Sequence, residues 1–290
     1  MKDKKLYFIS GLPRAGSTLL CNILAQNPRF HVTSPPGVLD IMFRVRRPWN
    51  QVVEFKATPN EAGKLRVLRG IFESFYSAGG VSQPVIFDKS RAWLGMIEMA
   101  ETLFNAEARI LVPVRDMREV LASFEKVWRS NQHMRQVTET AAKGPAWETV
   151  TGRCNLWLQG DQPIGLCYNR IKDAIVRGYS DRLHFVDYDQ LTQRPAGILE
   201  GIYEFLGQDP FDHDFNNISQ VTTDYDEMYP IPGLPPIRPK IEPLERPNWP
   251  MILGPTADQY GINNNLWQRY IQPPAGLDAA TLTAAAPVFA

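Results

Sequence analysis

LYFISGLPRAGST, from Leu6 to Thr18, is the stretch that decides the fold of this 290-residue chain. Leu6, Tyr7, Phe8 and Ile9 form a short run of branched and aromatic side chains, the pattern of a strand buried on both faces. Gly11 and Gly16 bracket a tight turn. Ser17 and Thr18 then open an amphipathic helix with Leu19, Leu20, Ile23 and Leu24 on its apolar side, and Asn27-Pro28 stops it. Backbone N–H groups in such a turn, together with the positive end of the helix dipole, make a cradle for an anion. Ser17 stands where a nucleoside-triphosphate loop carries its lysine, and Arg14 supplies charge from inside the loop instead. A triphosphate is disfavoured on these residues. A shorter phosphosulfate fits better.

Outward from this loop, strand and helix patterns alternate, which predicts an α/β fold of three layers with a central parallel sheet and helices on both faces. Strands are expected at Phe30-His31-Val32, Val85 to Phe87, Arg109 to Val114 and Leu183 to Val186. Helical spacing runs over about 61–77, 98–104, 117–129 and 196–206. Residues 1–271 read as one domain. It carries an interrupted helical insertion at about 132–178 and a proline-dense segment at about 230–255, expected to be extended rather than helical. Residues 272–290 read as a peripheral tail rich in Ala and Pro.

A second motif is Val112-Pro113-Val114-Arg115-Asp116, with Ser123 eight positions after the arginine. Ligands of doubly wound sheets bind at the carboxyl ends of the strands. Arg115 therefore faces the same crevice as the first loop, and a strand end plus about two helical turns can bring its guanidinium and the Ser123 hydroxyl onto one phosphate. An Arg115 paired with Asp116 is the structural alternative.

Composition is that of an ordinary globular protein, 44% hydrophobic and 21% charged, with zero net charge. No global field draws it to nucleic acid or to an anionic membrane, so neither is expected as a partner. Three cysteines without metal-ligand spacing suit a reducing compartment. No apolar run reaches about 18 residues, and the chain is expected to be cytoplasmic, with its oligomeric state open.

The two motifs, in their order and separation, resemble the sulfotransferases that use 3′-phosphoadenosine-5′-phosphosulfate (PAPS) as donor and release adenosine 3′,5′-bisphosphate (PAP). Two further segments are similar to that family: VIFDKSRAW (Val85–Trp93), as in its tyrosylprotein and bacterial branches, and FVDYDQL (Phe185–Leu191) followed by RPAGILEGIYEFLG (Arg194–Gly207). The resemblance runs from about Tyr7 to Phe205. It implies that Pro13, Arg14, Ala15, Gly16, Ser17 and Thr18 hold the 5′-phosphosulfate and that Arg115 and Ser123 grip the 3′-phosphate. Tyr188 would contact the adenosine side, and Arg238 and Lys240 of the proline-dense segment would close over the phosphates.

Sulfuryl transfer asks for in-line positioning and neutralisation of charge on the departing phosphate, with no metal expected. Lys89 and Arg14 are the candidate catalytic cations. The family's general base is a His or Glu, but Thr33 to Gly37 holds no carboxylate where the tyrosylprotein branch has its Glu. His31 is the candidate base in its place, with Asp40, Glu54 and Glu73 as alternatives. The acceptor is open. Two rivals stand beside this reading: a small-molecule kinase with a degenerate loop, using Asp88 or Asp116 for a metal, and a nucleotide-binding module without catalysis.

Overall fold

Strands β1 (Lys5–Ile9), β2 (Phe30–Val32), β3 (Val85–Lys89), β4 (Ile110–Val114) and β5 (Leu183–Asp187) are the chain's short apolar runs, and all five pair in parallel. They are seen in a computed structural model that describes residues 4–33, 37–130, 144–222, 238–243, 246–261 and 264–271. The order is β2-β3-β1-β4-β5, with Ile9 opposite Lys89 and Val114 opposite Asp187. Alternate residues of each strand face opposite layers. Tyr7, Ile9 and Val186 pack with Leu20, Ile23 and Leu24 of α1 (Ser17–Leu24) and with Leu199 and Ile202 of the 195–206 helix. On the other face Phe8, Ile86 and Val112 pack with α4 (Glu61–Ala78), α5 (Ile97–Phe104) and α6 (Met117–Ser130). The three layers follow the alternation read from the sequence.

This strand order sets the crevice. From β1 the chain moves to one side through β2 and β3, then crosses β1 to reach β4, so the connections diverge at the carboxyl end of β1. Gly11 lies at that end, packed so closely on β4 that a Cβ there would fall 2.2 Å from the Pro113 carbonyl oxygen. The Leu12 amide donates to that same oxygen at 2.9 Å.

Several segments depart from the sequence expectation. The connection from β2 to β3 holds α2 (Val38–Trp49) and α3 (Val53–Ala57), neither of which was anticipated. Pro48 inside α2 and its string of arginines mask the helical period there. The proline-dense segment is not extended throughout. Trp249–Leu253 is helical and Gly254–Tyr260 forms 3₁₀ turns, because Pro250 falls in the first turn of its helix, where a missing N–H costs nothing. Within the insertion, α7 (Val150–Trp157) and α8 (Pro163–Val176) are described. Residues 34–36, 131–143, 223–237 and 272–290 lie outside the described residues, and with them much of the insertion, the proline-dense segment and the tail. The three cysteines are buried and free. Among the described residues no helix is long and apolar enough to cross a membrane.

Asp88, fully buried in β3, anchors the floor of the crevice. Its Oδ1 accepts from Trp93 Nε1 at 2.8 Å and its Oδ2 from the Tyr76 hydroxyl at 2.6 Å. Burial pushes its carboxyl up to about 6, against the pull of those two bonds. A carboxyl with a raised folded-state pKa takes up its proton in the native state first, so its stabilising contribution is present at low pH and is lost as pH rises from about 4 to about 6. Asp88→Asn can keep both bonds, with Oδ1 accepting from Trp93 and the amide donating to Tyr76. It is expected to remove that loss, about 3 kcal/mol for two pK units, flattening the stability curve between pH 4 and 6 in denaturant titrations. An unchanged slope in the variant would show that Asp88 ionises normally.

Candidate functional site

The loop after β1 adopts its shape through two residues in left-handed conformation, Arg14 at φ 61° and Gly16 at φ 78°. Glycine is required at position 16 for a second reason: a Cβ there would meet the Tyr188 ring at 2.4 Å. Tyr188 follows β5 directly and starts the 188–193 helix, whose first turn is capped by Asp187 accepting from the Gln190 amide at 2.9 Å. The loop is thus seated on the side chain at the end of β5.

Two polar side chains tie the loop to its neighbours. Arg14 Nε donates to Ser123 Oγ at 2.9 Å, joining the loop to α6. Lys89, at the end of β3 and opposite Ile9, donates through Nζ to Thr18 Oγ1 at 3.1 Å, in the first turn of α1. The Lys89 amide in turn donates to Thr33 Oγ1 at 3.3 Å, which fixes the strand end against the residue after β2. Arg14, Ser17, Thr18, Lys89 and Arg91 line one cleft of about 220 Å³ at the carboxyl edge of the sheet. Its opposite wall is apolar: Phe124 and Val127 of α6, Trp157 at the end of α7, and Pro163 at the start of α8.

The sulfotransferase family model matches residues 7–213, from within β1 to beyond β5, and takes in every residue that lines this cleft. The chain belongs to the sulfotransferase family. Among curated relatives, nodulation protein NoeE of Sinorhizobium fredii (strain NBRC 101917 / NGR234) is 27% identical over 231 residues, covering 73% of this chain and 52% of NoeE. The chain therefore spans about half the length of that relative. Similar solved structures include the sulfotransferase domain of the Synechococcus PCC 7002 olefin synthase, at 19% identity and TM-score 0.45 over 99% of this chain and 96% of that one. A mouse sulfotransferase complexed with PAP aligns at 16% identity and TM-score 0.45, over 73% of this chain and 61% of that one. Membership rests on the family match.

The expected site residues fall into three groups. Arg14, Gly16, Ser17, Thr18, Lys89 and Ser123 come together around the loop, although Ser123 takes its bond from Arg14 rather than joining Arg115. Arg115 and Tyr188 form a second cluster beside it, the guanidinium lying 4.3 Å from the Tyr188 ring centroid. Arg115 is buried between Glu119 Oε2 at 3.3 Å and Asp189 Oδ1 at 3.7 Å. Its Nε and that Asp189 oxygen are both buried without a hydrogen-bond partner among the described residues. Burial holds the Asp189 carboxyl above its usual range, and the Arg115 charge only partly offsets it.

The third group lies apart. His31 sits inside β2 with its ring edge against Tyr76 and is not among the side chains lining the cleft; burial, aided by the Lys4 charge, lowers its pKa. Arg238 is exposed and pairs with Glu242 at 2.8 Å, and Lys240 is exposed beside it. The alternative bases are similarly placed: Glu73 pairs with Arg69, while Asp40 and Glu54 are exposed on α2 and α3. Both carboxylates weighed for a kinase metal are committed elsewhere, Asp88 to Tyr76 and Trp93, Asp116 to Arg118 and Asn265.

Sequence reasoning missed the apolar wall. Phe124 and Val127 are spaced three apart beside Ser123, a usable signal, but Trp157 and Pro163 lie in the stretch whose period is broken by Gly160 to Gln162. The carboxylates that hold Arg115 were also missed. Glu119 is four residues on, one helical turn, a spacing that brings the two side chains together.

Proposed function

We propose that this protein transfers a sulfuryl group from PAPS to an acceptor hydroxyl or amine. The observation that carries the reading is the loop. It has phosphate-cradle geometry, Ser17 replaces the triphosphate lysine, and Lys89 reaches in from β3 to the first turn of α1 instead. The residues present suit the donor at both ends. Arg14, Ser17, Thr18 and the helix terminus offer charge and donors for a 5′-phosphosulfate. Arg115, buried with an Nε that has no hydrogen-bond partner among the described residues, offers a fork for a 3′-phosphate. The donor brings the activated sulfur; the chain's part is to align it and to meet the negative charge that grows on the departing phosphate. Lys89 stands where it can do the latter, and its bond to Thr18 holds its ammonium in place beforehand.

Against the kinase alternative, Asp88 and Asp116 are both tied to protein donors. Thermal shift with PAP and with ADP separates the readings. At a hundredfold excess over its dissociation constant a ligand adds about 2.7 kcal/mol of stability, and for a chain of this size PAP is expected to raise Tm by roughly 5 °C. ADP at the same concentration should move it by less than about 1 °C. Equal or greater stabilisation by ADP with magnesium would overturn the sulfotransfer reading.

A further inference from the structure

Of the ten large apolar side chains exposed among the described residues, five lie between Ile41 and Phe55, on α2, α3 and the turn that joins them. Ile41 is 52% exposed and Val53 73%, and Phe43, Val52 and Phe55 accompany them. The other face of α2 belongs to the core: Val38, Leu39 and Met42 are buried with Leu68 and Phe72 of α4. α3 has no buried residue at all. Five residues are too few to hold a helix by backbone bonds alone. The Phe55 ring does stack on Trp49, with centroids 4.2 Å apart and planes 4° from parallel. A contiguous apolar surface that no described residue covers is the mark of a face that meets another body.

Charge identifies that body. Arg44, Arg47 and Lys56 are exposed and Arg46 half-buried on the same two helices. None of these four side chains makes an ion pair or hydrogen bond among the described residues. Against them stand two acids, Asp40 and Glu54. Arg46 and Arg47 line an open hollow of about 290 Å³ with Phe43, Asn50 and Gln51. Asn50 Oδ1 accepts from Lys64 Nζ at 3.2 Å, which leaves its amide hydrogens for a new acceptor. Two guanidiniums and two side-chain amides around one hollow suit a phosphate. The helix dipole accounts for Arg46 and Arg47 in the last turn of α2, but not for Arg44, Lys56 or the apolar side chains among them.

We propose that α2 and α3 dock this protein on an anionic lipid surface. Arg46 and Arg47 take headgroup phosphates, and Phe43, Val53 and Phe55 enter the boundary with the acyl chains. Zero net charge does not oppose this, because cations act on a membrane within a Debye length, about 8 Å at physiological salt. A second copy of the chain would bring the same cations onto themselves. A nucleic acid would leave the aliphatic side chains in water. An acidic protein would need a shape moulded to side chains that stand out singly from two short helices, whereas a bilayer adapts to them. None of these residues lines the cleft, so the proposal stands apart from the sulfuryl-transfer reading.

The test is cosedimentation of the full chain with vesicles, without PAPS or acceptor. An equimolar mixture of phosphatidylcholine and phosphatidylglycerol is expected to bind it about tenfold or more tighter than phosphatidylcholine alone, and raised salt should weaken that binding. Arg46→Gln with Arg47→Gln should weaken it by roughly tenfold or more. Phe43→Ser with Val53→Ser should weaken it by about fivefold or more. Lys172→Gln, which removes an exposed cation of α8, should change it by less than about twofold. Tm and PAP affinity, recorded for every variant, should stay near those of the parent chain. PAP binding without affinity for the mixed vesicles would overturn the proposal and leave sulfuryl transfer standing. Equal binding to both vesicles would overturn the choice of an anionic surface, and an equal loss in Lys172→Gln would overturn the assignment to α2 and α3. Retention on immobilised polyglutamate, lost in the double arginine variant and seen without vesicle binding, would give the surface to an acidic protein instead.

Discussion

Lys89→Ala is expected to lower turnover by roughly two to three orders of magnitude, the scale on which a single preorganised electrostatic group acts. The ammonium is fixed at the end of β3 by register and by its bond to Thr18, so it needs no reorganisation as charge develops beside the loop. An interaction that strengthens only as the sulfur–oxygen bond breaks belongs to the transition state. It appears in kcat and scarcely in ground-state affinity. PAP binding should therefore change by less than about tenfold, because Arg14 and Arg115 do not depend on Lys89 for their positions. Lys89→Arg should rescue only in part, since a planar fork at greater reach cannot keep the contact with Thr18 Oγ1. Steady-state kinetics with one acceptor, beside calorimetry with PAP, give both numbers. An Ala variant with near-normal turnover would return Lys89 to a role in tying β3 to α1.

The sheet was legible because each strand is a short apolar run ended by a turn signal, and in a parallel sheet burial on both faces leaves no other pattern. Leu6 to Ile9 and Ile110 to Val114 are cases in point. Alternation could not give the strand order. That depends on β3 to β4 crossing β1, which Gly11 permits by packing its backbone on Pro113. At the site, local chain geometry gave positions: Arg14, Gly16, Ser17 and Thr18 lie in one turn, and Lys89 lies at a strand end. Contacts with partners far along the chain were not legible. Eight positions of separation brought Arg115 and Ser123 to one edge, but Arg14, 109 residues before Ser123, claimed its hydroxyl. His31 shows how far strand position alone locates a side chain. A three-residue strand ends at Val32, so Thr33 rather than His31 reaches the rim beside Lys89. The apolar wall joins α6, α7 and α8, and no local period could have assembled it.

Arg115→Ala is expected to do two things that must be separated. It should weaken PAP binding by roughly 2–3 kcal/mol, about 30- to 150-fold, the scale of a lost charge-assisted contact. It should also destabilise the apo protein by about 3 kcal/mol, since Glu119 and Asp189 would be left as carboxylates without their cation. Arg115→Lys keeps the charge, so most of the stability should return, but a point charge does not restore the fork, and binding should recover only in part. Adenosine 5′-phosphosulfate, which has no 3′-phosphate, provides the control: its affinity should fall far less than that of PAP in both variants. The apo geometry favours such a response. Glu119 Oε1 accepts from the Asn248 and Trp249 amides at 2.6 and 3.2 Å, so that carboxylate is anchored. Asp189 is the more exposed partner, and its contact oxygen and Arg115 Nε, 3.7 Å apart, make no hydrogen bond. An arriving dianion can therefore replace Asp189 at Nε and gain a contact that the resting protein leaves unmade, while Glu119 keeps the other side of the guanidinium in place. Equal losses for PAP and for adenosine 5′-phosphosulfate would remove Arg115 from the 3′-phosphate site and leave it as the cation that joins β4, α6 and the helix after β5.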